Sequence, residues 1–203
     1  MFRPHRTRRT RWVVVAAAAL TLLGAGVVTA IPAQAGVVTT QNGFEGNPYD
    51  FWNAHHTEGS SIVNLITHVE ARPTNGGEFA AWFDAPGTVP ARISTNALVL
   101  PRPSGGQVTC RAEMYLKKGI MGVPTFTPPP TGNPRVQLTV NERRGSVDTV
   151  IDGSTYTLTN TDYQRAEFAS WPYRDGNIVV TVSVTGGAAF ADDLFVRCAS
   201  AIQ

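Results

Sequence analysis

The hydrophobic pattern of the chain changes character once, near residue 35. Before that point an apolar run, Trp12 to Ala30, is built mostly of Val, Ala and Leu. Beyond it no stretch holds a 3.6-residue apolar period for three turns, and several hold a period of two. Ser61 to Glu70 places Val63, Leu65 and Val69 on one parity. Gln107 to Lys118 places Val108, Cys110, Ala112, Met114 and Leu116 on one face, with Arg111, Glu113, Tyr115 and Lys117 on the other. Arg135 to Asn141 alternates Val136, Leu138 and Val140 with Gln137, Thr139 and Asn141. Asn177 to Val184 alternates Ile178, Val180, Val182 and Val184 with Val179, Thr181 and Ser183, and Ala188 to Cys198 is mostly apolar. Turn signals fall at Asn75-Gly76-Gly77, Ser104-Gly105-Gly106, Asp152-Gly153, Asp175-Gly176-Asn177 and Gly186-Gly187. Pro124 to Pro134 reads as a loop between strands that share a core. Short alternating strands between turns predict an all-β, antiparallel two-sheet sandwich or barrel.

The first 35 residues read differently. Arg3, Arg6, Arg8, Arg9 and Arg11 precede the apolar run, no acid accompanies them, and Pro32 with Ala33-Gln34-Ala35 follows it. Basic head, apolar middle and A-x-A end are the parts of a secretory signal peptide, 1–35, with cleavage after Ala35. The run is also long enough to span a bilayer, so a retained anchor is the alternative. Arg8-Arg9 raises a twin-arginine export route against the general one, although Thr10-Arg11-Trp12 lacks the apolar residue that usually follows. No Cys lies near the cleavage point to carry a lipid. The expected location is therefore secreted and extracellular, with no membrane contact after cleavage.

Removing the signal reverses the charge. Five of the 17 basic residues and none of the 15 acidic ones precede Gly36, which leaves 12 basic against 15 acidic. No basic stripe remains to neutralise phosphates, so nucleic acid is not an expected partner. The stretch 36–203 suits one domain with a real core, expected to be a monomer. Both cysteines, Cys110 and Cys198, lie beyond the signal on the apolar parity of their runs. Export to an oxidising compartment favours a buried disulfide, worth about 4–5 kcal/mol by loop closure. Two buried free thiols are the alternative.

Five short segments occur in a telling order. They are Asn42-Gly43-Phe44-Glu45, Tyr49-Asp50-Phe51-Trp52, Gly77-Glu78-Phe79-Ala80-Ala81-Trp82, Tyr163-Gln164-Arg165-Ala166-Glu167-Phe168 and Phe190-Ala191-Asp192-Asp193-Leu194-Phe195-Val196. This order resembles the jelly-roll carbohydrate-binding modules of the CenC-like type, associated with cellulases and xylanases and galactose-binding-like in fold. There an N-G-x-F-E or G-F-E opening strand and a D-D-[VL] closing strand bracket the domain. The resemblance implies a jelly-roll β-sandwich over 36–203 and a carbohydrate partner. Asp192 shares the parity of Leu194, Val196 and Cys198, so a regular strand would bury its carboxylate, which then needs a partner or a metal. The resemblance implies a structural Ca²⁺ held by Glu45, Asp192 and nearby backbone carbonyls, and oxygen donors suit that ion. A bulge that turns Asp192 outward, or pairing of its carboxylate with Arg or backbone groups, is the alternative.

Sugars are held by an aromatic face flanked by hydrogen-bonding side chains. Glu113 and Tyr115 on one run, and Gln137 and Asn141 on another, would form such a floor if the two strands are neighbours. Trp82 joins them because Phe79, Ala81 and Phe83 take the other parity. A plain solvated sheet face is the competing reading, and Trp52 and Trp171 read as core or edge packing. No catalytic constellation stands out. There is no G-x-S-x-G elbow and no phosphate loop. His55-His56-Thr57-Glu58 reads as a surface loop, since adjacent residues of an extended chain point opposite ways, and His68 lies on a polar parity. Glu78, Asp84 and Glu113 offer carboxyls for a glycosidase only if two face each other at about 5–10 Å. The expected function is a secreted, non-catalytic carbohydrate-binding module. A structural or adhesion sandwich comes second, and a small jelly-roll hydrolase or lyase third.

Overall fold

The alternating runs become strands, and their apolar parities close on one another as two sheets. The computed structural model describes residues 37–55, 62–67, 77–100, 107–119, 132–168, 170–173 and 176–200. The expected signal peptide, His56 to Glu58, His68, and most of the Pro124–Pro134 loop lie outside these residues. The strands are β1 (Val37–Asn42), β2 (Trp52–His55), β3 (Ile62–Thr67), β4 (Ala80–Ala85), β5 (Ala91–Thr95), β6 (Val108–Lys118), β7 (Arg135–Arg144), β8 (Val147–Thr157), β9 (Gln164–Glu167), β10 (Trp171–Pro172), β11 (Asn177–Thr185) and β12 (Gly187–Ser200). One sheet runs β10-β6-β12-β4-β3, with β1 also paired to β12 and β9 to β6; the other runs β2-β5-β11-β7-β8. Every strand pairing is antiparallel. Among the described residues no helix is long and apolar enough to cross a membrane.

The core lies between the sheets. β6 supplies Val108, Cys110, Ala112, Met114 and Leu116, and β12 supplies Ala189, Ala191, Leu194, Val196 and Cys198. Facing them are Val136, Leu138 and Val140 of β7 and Ile178, Val180, Val182 and Val184 of β11. Trp52 joins this core, fully buried and stacked on Phe44 with ring centroids 5.0 Å apart. Trp171 is buried at the edge strand β10. Cys110 and Cys198 are register partners on β6 and β12 and form a disulfide.

The structure corrects three readings. Asp152-Gly153 is not a turn but lies inside β8, where the register with β7 shifts between Val140 and Asn141. The hairpin turn falls earlier, at Gly145-Ser146. A bulge needs local chain freedom just as a turn does, so Asp-Gly marks either. Second, β6 and β7 are not neighbours; they belong to different sheets. Third, Asp192 does not follow the parity of Leu194. The β12–β6 register shifts between Asp192 and Phe195, and Asp193 takes a left-handed φ of 47°. This bulge puts Asp192 in register with Tyr115, on the outward parity of β6, yet it is fully buried there.

The disulfide spans 88 residues of sequence. Removing it with Cys110→Ala plus Cys198→Ala should lower unfolding stability by about 4–5 kcal/mol in urea titrations. An unchanged midpoint would contradict this account of the bridge.

Candidate functional site

The outer face of the five-stranded sheet is a polar floor laid down by simple alternation. On β7, buried Val136, Leu138 and Val140 alternate with Arg135, Gln137, Thr139 and Asn141, which are exposed or half-buried. β11 adds Thr181, Ser183 and Thr185, β5 adds Arg92 and Ser94, and β8 adds Thr155 and Thr157. The registers align these into rows. Arg92, Ser183, Gln137 and Thr155 make one row; Ser94, Thr181, Thr139 and Gly153 make the next on one side. Thr185, Arg135 and Thr157 make the row on the other side. Two adjoining hollows follow. One of about 240 Å³ is lined by Arg92, Gln137, Thr139, Asn141, Thr181 and Ser183. The other, about 290 Å³, is lined by Arg135, Gln137, Thr155, Ser183 and Thr185. Gln137 and Ser183 line both, so the hollows form one groove of hydroxyls, amides and two guanidiniums. Each hydroxyl both donates and accepts, and each amide does the same through different atoms. At the far end Asp148 accepts two hydrogen bonds from Arg143, at 2.6 and 2.7 Å. That contact holds the Asp148 carboxyl below its ordinary range.

The outer face of the seven-stranded sheet is filled differently. Trp82, Phe190 and Lys117 are register partners across β4, β12 and β6. Trp82 is only 4% exposed. The Lys117 ammonium lies 4.8 Å from the Tyr163 ring centre and 5.1 Å from that of Phe190. Glu113 is buried; it accepts from Arg165 Nε at 3.0 Å and lies 3.4 Å from Arg197. Tyr115 is half-buried between Asp192 and Arg165. The five expected sugar contacts are therefore divided. Trp82, Glu113 and Tyr115 share one outer face, Gln137 and Asn141 the opposite one, and no single floor holds all five. Their strands alternate correctly, but alternation does not say which sheet a strand joins.

The opening motif has a distinct task at each residue. Asn42 Oδ1 accepts from Trp52 Nε1 at 2.8 Å and from the Phe44 amide at 3.1 Å. Phe44, at a left-handed φ of 60°, drives its ring onto Trp52. Glu45 Oε1 accepts from the amides of Glu78 and Phe79 at 2.8 and 2.9 Å. A Cβ at Gly43 would lie 2.7 Å from Asp193 Oδ1 and 3.8 Å from Asp192 Oδ1, so only glycine allows the loop to approach the bulge. Asp192 and Asp193 are both buried. Asp192 Oδ1 accepts the Asp193 amide at 2.8 Å, and Gln41 Nε2 reaches Asp193 at 3.4 Å. The expected calcium ligands Glu45 and Asp192 thus border the same loop, with a third carboxylate, Asp193, that sequence reasoning left out. Among the described residues no three His, Cys, Asp or Glu side chains gather as a metal cluster.

A third hollow, about 490 Å³, opens at one edge of the sandwich between Glu142, Thr149, Val150, Ile151, Asp152 and the segment Ser170-Trp171-Pro172. Its Glu142 carboxylate lies 3.0 Å from Arg144, so its charge is already matched. Of the carboxyls weighed for glycosidase chemistry, Asp84 and Glu113 are buried and Glu78 sits exposed in the loop before β4. Sequence reasoning missed Arg92, Thr181, Ser183, Arg135 and Thr155 as groove residues. Thr181 and Ser183 carried a signal, the polar parity of a strong strand. Arg92 sits in a strand of only five residues, too short to stand out.

Two packed antiparallel sheets in this order define the jelly-roll fold of carbohydrate-binding modules. Among solved structures the chain is similar to the N-terminal CBM22-1–CBM22-2 tandem domain from Paenibacillus barcinonensis Xyn10C. The identity is 16% and the TM-score 0.52, over 81% of this chain and 45% of that one. It is also similar to the CBM22-1–GH10 modules of Clostridium thermocellum xylanase 10B complexed with xylohexaose. There the identity is 14% and the TM-score 0.50, over 77% of this chain and 27% of that one. This chain thus spans less than half of either structure's length. No protein-family model matches the sequence, and no curated protein does.

Proposed function

We propose that the protein is an exported, non-catalytic carbohydrate-binding domain that takes a glycan along the groove on the outer face of its five-stranded sheet. One observation carries this: three successive cross-strand rows present hydroxyl, amide and guanidinium groups to solvent as one continuous trough. A glycan is a chain of hydroxyls, and a rigid sheet holds their partners at fixed spacing without ordering loops. Gln137 and Asn141 sit in this trough. Trp82, Glu113 and Tyr115 lie on the opposite face and take a structural role. The likeness to a CBM22-1–GH10 structure solved with xylohexaose supports the reading, because a domain of this fold occurs there in a protein that takes an oligosaccharide. The CenC-like subtype rests on the opening and closing motifs.

Calcium is the second part of the proposal. Asp192, Asp193 and Glu45 offer only oxygen donors beside the loop leaving β1, and two of the three carboxylates are buried. Buried carboxylates of like charge favour a cation nearby, and such a donor set fits Ca²⁺. The ion would fasten the β1 exit to the β12 bulge and contribute stability rather than chemistry.

On a glycan array the protein should bind at least one polysaccharide, and Gln137→Ala should weaken that binding several-fold while Tyr115→Ala leaves it unchanged. Loss through Tyr115→Ala alone would move the site to the other face. Silence on every glycan would favour the structural or adhesion role. A chelator should lower the melting temperature by several degrees, and added calcium should restore it. A chelator-indifferent transition would remove the ion from the account.

A further inference from the structure

The groove is positively charged and holds no carboxylate among the described residues. Among the described residues its charged side chains are Arg92 and Arg135, both exposed. Neither guanidinium has an ion-pair or hydrogen-bond partner among the described residues. The other arginines near this sheet's end behave differently: Arg143 grips Asp148 and Arg144 lies against Glu142. On the opposite face Arg165 and Arg197 both engage Glu113. The chain beyond the signal is acidic overall, with 12 basic residues against 15 acidic. Two unmatched cations on one acid-free trough are therefore a local feature and not a consequence of a basic protein.

Their placement suits a polymer. Arg92 on β5 and Arg135 on β7 are separated by β11 and by one step of two residues along the strands. That is about 10 Å across the sheet and about 7 Å along it. Ser183 and Gln137 lie between them, ready for hydroxyls. Among the described residues the groove lining holds no aromatic side chain. These lining residues offer a neutral sugar hydrogen bonds and no ring to stack its C–H face on. Charge-assisted, two-point hydrogen bonds from guanidinium to an acidic group can supply affinity, and they are roughly twice as strong as neutral ones.

We propose that this groove binds an anionic polysaccharide, one bearing carboxylate or sulfate groups. Arg92 and Arg135 each engage an acidic group, and Gln137 and Ser183 take the hydroxyls between. The inference rests on the reading that this face holds a glycan, and it names the class of glycan.

The test titrates the exported form, residues 36–203, with polygalacturonate and dextran sulfate, and with their neutral counterparts galactan and dextran. The variants are Arg92→Gln plus Arg135→Gln, the matching double Lys replacement, and Gln137→Ala. Both arginines are exposed and have no ion-pair or hydrogen-bond partner among the described residues, so the melting temperature should stay unchanged in the variants. The expected result is binding to an anionic polymer at least about tenfold tighter than to its neutral counterpart, weakening with salt. The double Gln variant should lose at least about tenfold of it, and the double Lys variant should recover only part. Preference for polygalacturonate assigns a carboxylate ligand and preference for dextran sulfate a sulfated one; either supports the proposal. Equal binding of neutral and charged polymers, indifferent to both arginines but lost in Gln137→Ala, would overturn it and leave the glycan function standing. Anionic binding that survives the double Gln change would also overturn it. Binding to none of the four polymers by any form of the protein would overturn the proposal, and the array would then decide whether the glycan function falls as well.

Discussion

Strand β12 is hydrogen-bonded along both edges, and the sandwich is arranged around it. One edge runs beside β6 for nearly its whole length; the other pairs with β4 in its first part and with β1 in its second. The change of partner falls at Asp192-Asp193, where the strand also bulges. A bulge lets a strand bend and re-aim its side chains without leaving the sheet. Here it keeps Ala191 and Leu194 both in the core while two carboxylates are taken up between them. Below the bulge the Cys110–Cys198 bridge fixes β12 to β6 covalently. The opening segment closes on this junction: Gly43 packs against the two aspartates, Phe44 enters the core and Glu45 ties down the loop before β4.

That arrangement divides the surface into two unlike faces. The seven-stranded sheet contains the bulge, the bridge and most of the buried charge. Its outward side is occupied by its own contacts, with Trp82 buried, Glu113 held by two arginines, and Lys117 over aromatic rings. The five-stranded sheet is built differently over its central rows. Its outward groups are short, polar and regularly spaced, and its two groove arginines face solvent. On the proposed reading, one sandwich would carry a stabilising face and a receptive face, with the binding surface on strands instead of loops. Sites built on regular strands hold their geometry with little ordering on binding.

Much of this was legible in the sequence, for identifiable reasons. Alternation in β6, β7 and β11 announced the strands and their buried parities, and each of the two cysteines fell on the apolar parity of its own run. Those features alone give an all-β sandwich or barrel, and the resemblance of the opening and closing motifs chose the sandwich. Parity does not reveal sheet membership, so the floor expected from Glu113, Tyr115, Gln137 and Asn141 came apart into opposite faces. Nor does it survive a bulge, which is why Asp192 looked core-facing. β8 was missed because its pattern is that of an exposed edge, with Val147 and Val150 outward. β2, β5 and β9 are too short to carry a period. Arg92 was hidden for the same reason, while Arg135 opens a strand that was legible; what joins the two is the pairing of β5, β11 and β7, which alternation does not give.

The central claim is that ligand lies on the five-stranded sheet. Amide chemical-shift mapping with an oligosaccharide taken from whichever polymer binds tests it most directly. The account predicts perturbations concentrated along β5, β11 and β7, strongest around Arg92, Ser183 and Gln137, with β6 and β9 silent. Perturbations centred on Tyr115, Lys117 and Arg165 would contradict it and place the site on the face assigned here to stability.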